Sequence, residues 1–387
     1  MNFTEIKEIE DEFQLATYKK MDIAVSRGSG AWVWTSEGDK YLDLYGGHAV
    51  CATGHSHPHV VKAIQEQAEQ MLFYSNLVYS DIRAKAAEKL ISVAPKSLTK
   101  AFFCNSGTEA NENAMRIARM ATGREKVITF TGGFHGRTAD AISATFLGKY
   151  RDIGKPNVPG HFAAEFGDLA SVRAIADTDT AAIMLEPIQS MSGVREAPRE
   201  FFSGLRQISD DLGIVLIFDE VQTGIGRTGS WFFAGSQAAD EVEPDIVSLA
   251  KSLGSGVPVG ACLVNDRVSA HIKENDLGTT FGGGMLAMAA VLATLEAIES
   301  DDMIANVRFV EQHLRDLLAG HPGITDIRGK GCLIGIEFDE SCGPVHKKLL
   351  EKKIITGTSS DPRVLRLLPP LMVGPSEIDM LVEALAS

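Results

Sequence analysis

Short apolar runs rich in branched side chains recur along this chain and alternate with stretches of helical periodicity. Residues 100–103, 126–130, 181–185, 213–218, 245–250 and 258–264 each form such a run, bounded by turn formers. Continuous apolar runs of this length predict strands buried on both faces, as in a mostly parallel sheet covered by helices. Between them, Ala110, Ala114, Ile117, Ala118 and Ala121 recur at helical spacing, so a helix begins near Thr108. Helical patterns also cover 58–72, with Pro58 at the first position, then 285–298, 304–318 and 344–353. Residues 32–44 alternate apolar and polar around Gly38 and Asp39, which predicts a hairpin. Strand signals at 331–338 and 364–367 lie among the later helices, so the end of the chain reads as a second, smaller α+β domain.

Polar residues gather where the predicted strands end. Asp219 and Glu220 follow the run 213–218 at once, and the run 245–250 delivers Lys251, 32 residues after Asp219. Strand carboxyl ends of an open α/β sheet face one crevice, so acid and amine are expected to share it. Ser106, Gly107 and Thr108 stand between a strand and a helix, where free backbone N–H groups, hydroxyls and the positive end of the helix dipole make a phosphate seat. The glycine-rich stretch 131–138 carries Phe134, able to stack on a planar ring, and Arg137, able to grip a carboxylate. The run 181–185 ends in Glu186, and 277–284 forms another glycine-rich loop with Thr279 and Thr280. Each feature alone has a plainer reading as a turn cap, a solvated cation or a surface loop. Jointly they supply the four parts that pyridoxal 5'-phosphate chemistry requires: a phosphate seat, a ring cover, a carboxylate for the pyridine nitrogen and a lysine for the aldehyde.

Composition narrows the partners. The 387 residues are 44% hydrophobic and 23% charged, as in a soluble globular protein of roughly two domains. Lys and Arg number 37 against 51 Asp and Glu, a net charge of −14, which argues against nucleic acid and against an anionic membrane surface. No apolar run approaches the ~20 residues of a membrane span, and the acidic, amphipathic start has no signal core, so a cytoplasmic protein is expected. Five scattered cysteines without a C-x-x-C pair predict neither structural disulfides nor a thiolate metal site. His55, His57 and His59 surround a helix start and are not expected to converge on one ion. Gly224 to Gly229 matches G-x-G-x-x-G, but Asp219-Glu-Val-Gln222 separates it from the strand and no amphipathic helix follows, so dinucleotide binding is not expected.

Asn105-Ser-Gly-Thr-Glu-Ala-Asn111, Gly133-Phe-His-Gly-Arg-Thr138, Glu186-Pro-Ile-Gln189, Phe218-Asp-Glu-Val-Gln222 and Lys251, in this order and spacing, resemble the class III, or ornithine-type, pyridoxal-phosphate-dependent aminotransferases. Tyr41-Leu-Asp43 and Tyr74-Ser-Asn-Leu77 look most like the branch that acts on acetylornithine. The resemblance implies an aspartate-aminotransferase-like fold with a large, mostly parallel seven-stranded sheet domain at 56–284. The smaller domain would be built from 1–55 and 285–387. Also implied are a homodimer with shared active sites and a ping-pong transfer of the distal amine of an N-acylated ornithine, or a similar ω-amino acid, to 2-oxoglutarate. Other ω-aminotransferases of the class, or an aminomutase of the same fold, would keep the same cofactor residues.

Carried over, Lys251 and Asp219 are catalytic. Ser106, Gly107 and Thr108 hold the phosphate, Phe134 covers the ring, Gln222 donates to the phenolic oxygen and Thr280 reaches the other subunit's cofactor. Arg137, Thr279, Glu186, Arg366 and His48 fall at substrate positions, with Glu186 expected to pair with Arg366 while the donor is bound. Three departures fall near the substrate. Ser190-Met-Ser-Gly193 stands where the family usually has Gly-Glu-Gly, Gly284-Met285 where it has Asn-Pro, and His48 where relatives carry tyrosine or an aliphatic residue.

Overall fold

The computed structural model describes residues 1–386. Its centre is a seven-stranded sheet of β1 (Leu98–Cys104), β2 (Lys126–Phe130), β3 (His161–Ala164), β4 (Thr180–Leu185), β5 (Val215–Asp219), β6 (Ile246–Leu249) and β7 (Gly260–Asn265). The spatial order is β1-β7-β6-β5-β4-β2-β3. The pairs β3/β2, β2/β4, β4/β5 and β5/β6 are parallel, while β7 runs antiparallel to both β6 and β1. Every residue of β4, β5 and β6 is buried, which is why their sequences are continuous apolar runs without alternation. β3 escapes the sequence reading: it is a four-residue edge strand whose Phe162 is 44% exposed, so it lacks the apolar run of its neighbours.

Helices on the sheet follow the local signals. Gly107–Thr122 starts at the N-cap Ser106, whose hydroxyl accepts from the Glu109 N–H, and ends at Gly123 in the left-handed region. Arg199–Leu212 presents Phe201, Phe202, Leu205 and Ile208 to the sheet and stops at left-handed Gly213. There Phe202 meets Phe218 of β5 edge-on, with ring centroids 5.8 Å apart.

Two smaller sheets flank this core. The predicted hairpin forms as Trp32–Thr35 with Lys40–Asp43, and Ile354–Ile355 joins it in parallel beside Lys40–Asp43, tying the two ends of the chain together. Ile324–Lys330, Leu333–Phe338, Val364–Leu367 and Gly357–Thr358 make an antiparallel sheet. The strand Ile324–Lys330, charged and largely outside the core, is a second element the apolar pattern does not reveal. Met285–Ser300 packs on Pro58–Gln70 and Asp81–Val93. Among the described residues no helix is long and apolar enough to cross a membrane.

Candidate active site

The carboxyl ends of the parallel strands open into a cavity of about 650 Å³ that holds Asp219 and Lys251. Asp219 closes β5 and is 3% exposed. Its Oδ2 accepts from Asn111 Nδ2 at 2.8 Å and lies 2.7 Å from His135 Nδ1, and its Oδ1 accepts from the Val221 N–H at 3.1 Å. Burial by itself would discharge His135, but the Asp219 carboxylate outweighs it and the imidazole pKa is raised. Asn111 is fixed in turn, because its Nδ2 also donates to the His135 carbonyl and its Oδ1 accepts from Ser248 on β6. Asn111 and His135 are functional neighbours that sequence reasoning missed. The signal was available: Asn111 lies one helical turn beyond Gly107, and His135 follows Phe134 directly.

Lys251 follows β6 with φ of 41°, a left-handed backbone that turns the chain sharply at the strand end. Among the described residues its amine has neither a hydrogen bond nor an ion pair. Burial lowers its pKa, helped by the positive charges of Arg366 and Arg227 and opposed by Asp219 and Glu186. Such an amine is more readily freed of its proton and more nucleophilic than a surface lysine.

The stretch read as a phosphate seat forms a capped helix start at the cavity. With Ser106 as the cap, the N–H groups of Gly107 and Thr108 have no acceptor among the described residues, and both residues line the cavity. A Cβ on Gly107 would stand 2.8 Å from a Val221 methyl, so glycine is required for this close approach. Thr108 Oγ1 lies 2.6 Å from Thr138 Oγ1.

Phe134 lines the cavity with its N–H donating to Glu186 Oε1 at 2.8 Å and its ring edge-on to Tyr150. Gln222 also lines it, with Oε1 buried and unpartnered among the described residues. An anion seat at a helix end, an aromatic wall, a pinned carboxylate, an unpartnered amide and a depressed lysine fit pyridoxal 5'-phosphate in size and in chemistry.

At the substrate end Glu186 and Arg366 bond to other groups. Glu186 and Arg366 form no ion pair. Burial, then the Asp219 charge, pushes the Glu186 carboxyl up to about 7, and its bonded partner is the Phe134 backbone. Arg366 does not line the cavity and is 1% exposed. Arg137 does line it, its guanidinium 5.0 Å above the Tyr150 ring. His48 lines it too, in a left-handed loop whose Tyr45, Gly46 and Gly47 N–H groups all donate to the buried Asp43 carboxylate. Enclosure, then the charges of Lys251, Arg366 and Arg137, hold the His48 imidazole at about 4, so it is neutral at physiological pH.

Thr279 and Thr280 do not line this chain's own cavity. Thr279 Oγ1 accepts from Asn105 Nδ2 and the Gly282 N–H, and Thr280 is exposed beside Phe281. Tyr18, not singled out in the sequence, lines the mouth. The three histidines near Pro58 go to three separate acids: His55 to Asp43, His57 to Asp301 and His59 to Glu296. The 224–229 stretch buries Arg227 against the Cys332 and Pro369 carbonyls.

Fold and site together define a pyridoxal-phosphate enzyme with the aspartate-aminotransferase-like architecture. Residues 14–387 match the family described as Aminotransferase class-III, and the chain belongs to this family. It is 42% identical over 382 residues to an acetylornithine aminotransferase of Methanopyrus kandleri, covering 98% of this chain and 97% of that one. Among solved structures, the ornithine aminotransferase of Toxoplasma gondii ME49 superposes with a TM-score of 0.92 at 28% identity, covering 100% of this chain and 94% of the other. An acetylornithine aminotransferase from Elizabethkingia anophelis gives 0.86 at 26% identity, covering 100% and 98%. The protein is a pyridoxal-phosphate-dependent transaminase and takes an amino donor and a keto acid acceptor.

Proposed function

We propose that this chain moves the distal amino group of an N-acylated ornithine, or a close ω-amino relative, to 2-oxoglutarate. The observation that carries the reading is the near-full-length identity of 42% to a relative named for acetylornithine. A cavity with a lysine at the sheet edge and an arginine on its wall supports it. When bound, pyridoxal phosphate supplies an aldehyde for the amine and a ring that draws off the electrons left when a proton departs.

The chain's own residues do the rest. Ser106, Gly107 and Thr108 would hold the phosphate, Phe134 would cover the ring, and Gln222 would donate to the ring's phenolic oxygen. Asp219, oriented by Asn111 and His135, keeps the pyridine nitrogen protonated. Lys251 would hold the cofactor through its amine, and that amine, its pKa lowered by burial, would be the group that moves the substrate's proton. Arg137, Glu186, His48 and Arg366 shape the substrate end, with Thr279 and Thr280 at the subunit boundary.

The active species in this reading is a homodimer. The segment 71–79 exposes Met71, Leu72, Leu77 and Val78, with Phe281 alongside Phe73 at 5.2 Å between ring centroids. An apolar band of this kind next to Thr280 suits burial against a second copy, which would bring that hydroxyl to the partner's cofactor. The large domain would span 56–284, with 1–55 and 285–387 forming the smaller one.

The test is to give the holoenzyme N-acetylornithine, ornithine and 4-aminobutyrate in turn and follow the bound-cofactor absorbance. N-acetylornithine should react fastest, and 2-oxoglutarate should restore the starting spectrum with release of glutamate. A panel in which no ω-amine reacts, or a reaction that releases no semialdehyde, would overturn the reading.

A further inference from the structure

Lys251 stands on strained backbone. Its φ is 41°, and Ser255, which closes the short turn Lys251–Gly254, has φ of 44°. Neither residue is a glycine, so both conformations are costly and persist only where the surrounding contacts over-determine them. The turn supplies little of that itself: the Leu253 N–H donates to the Ala250 carbonyl at 2.9 Å, and the Ser255 N–H reaches the Ser252 carbonyl only at 3.3 Å.

The other contacts come from the far end of the chain. Ser255 Oγ accepts from the Thr53 N–H at 3.1 Å and lies 2.7 Å from Thr53 Oγ1, across 202 residues of sequence. Ser252 Oγ donates to the Ala49 carbonyl at 3.3 Å. Thr53 is 2% exposed, and its segment is anchored on both sides. The Leu371 N–H donates to the Ala52 carbonyl at 2.8 Å, while Gly30 and His55 exchange backbone bonds at 3.0 and 2.8 Å. A Cβ on Gly54 would stand 3.0 Å from Gly30 Cα, so the segment lies hard against its support. A fixed hydroxyl therefore grips the turn that carries the lysine.

We propose that Thr53 and Ser255 are positioning residues that hold the Lys251 amine at the reacting atoms. β6 delivers the lysine to the cavity, and the hydroxyl pair fixes the turn from which its side chain rises. The proposal rests on the transaminase reading above. The amine has to meet the cofactor's aldehyde, where it adds to the carbon and water leaves, and it has to meet the substrate's proton. A turn free to relax toward ordinary φ would swing the whole side chain off both targets, and reactions of this kind are steep in distance and angle. The clasp acts on the lysine alone, so its loss should slow cofactor attachment and both half-reactions together, with little change in substrate affinity.

Thr53→Val keeps the shape and removes the hydroxyl. With saturating pyridoxal phosphate added to the apoenzyme, attachment should be about tenfold slower in this variant than in wild type, read as growth of the bound-cofactor absorbance. In single-turnover spectra with L-glutamate, and with 2-oxoglutarate on the aminated enzyme, limiting rates should fall by a similar factor while half-saturating concentrations stay within about twofold. Thr53→Ser restores the hydroxyl and should return the rates to within about twofold of wild type. Ser255→Ala removes both bonds and should be at least as slow as Thr53→Val, and combining the two should slow it no further, as one shared interaction requires. Wild-type attachment in a folded Thr53→Val, a Thr53→Ser as slow as Thr53→Val, or a loss confined to half-saturating concentrations overturns the proposal. Should Thr53→Val not fold, Ser255→Ala, at a partly exposed position, decides by the same rates. The attachment measurement uses no donor, so failure of N-acetylornithine to react would strike the donor assignment and leave this inference standing.

Discussion

The two ends of one cavity are built on different terms. At the cofactor end, the main anchors are placed by strand or helix termini: Asp219 by β5, Lys251 just beyond β6, and the free N–H groups by the start of Gly107–Thr122. At the substrate end, Arg366 sits in the small antiparallel sheet and depends on Tyr45, 321 residues away, and Ser190, 176 residues away. Local geometry fixes the first end, while packing between distant segments fixes the second. Changes at the cofactor end should therefore damage both half-reactions together, and changes at the substrate end should separate them.

Replacing Lys251 tests the first half of this contrast most severely. Lys251→Ala should lower turnover by several orders of magnitude in both half-reactions, because covalent attachment and proton transfer vanish together. Steady-state rates and the visible spectrum of the bound cofactor read the loss, and a near-wild-type rate would refute the role of Lys251. Asp219→Asn keeps the shape and removes the charge. A drop of roughly 10²–10³ in both half-reactions is expected, since a preorganised charge is lost. Circular dichroism should remain that of wild type.

Arg366→Ala should split the halves. Loss of hydrogen bonds to a charged group is worth about 1.5–3 kcal/mol, and this should fall on the 2-oxoglutarate half-reaction, with the ω-amine half largely spared. Equal losses in both would mean that Arg366 is structural and that the contrast between the two ends fails.

The mildest effect concerns Glu220, which is 1% exposed and pushed up to about 7 by burial, although it accepts from the Phe233 and Ala234 N–H groups and from Thr223. Its folded pKa lies above the unfolded value, so the folded state binds more protons between about 4.5 and 7. Its contribution to stability is full below that window and is lost as pH rises through 7. The apoenzyme should melt a few degrees lower at pH 8 than at pH 5, and Glu220→Gln should flatten that difference. A variant with the wild-type pH dependence would show that other groups govern it.

What the sequence alone determined is everything that depends on near neighbours. Continuous apolar runs announced β2, β4, β5 and β6, and the residue after each run, or the cap before each helix, named Asp219, Lys251, Ser106, Gly107 and Thr108. Strand ends and helix starts are local events, so spacing is enough to read them. The short or charged strands His161–Ala164 and Ile324–Lys330 stayed hidden because their pairing is earned from neighbours in space. Tertiary structure alone decided that Asn111 and His135 would share one carboxylate, and that Glu186 would turn to the Phe134 backbone. It also gave Arg366 two hydroxyls for partners. A buried polar group must bond to whatever the packed chain places within about 3 Å, and no periodicity in the sequence records which distant residue that will be.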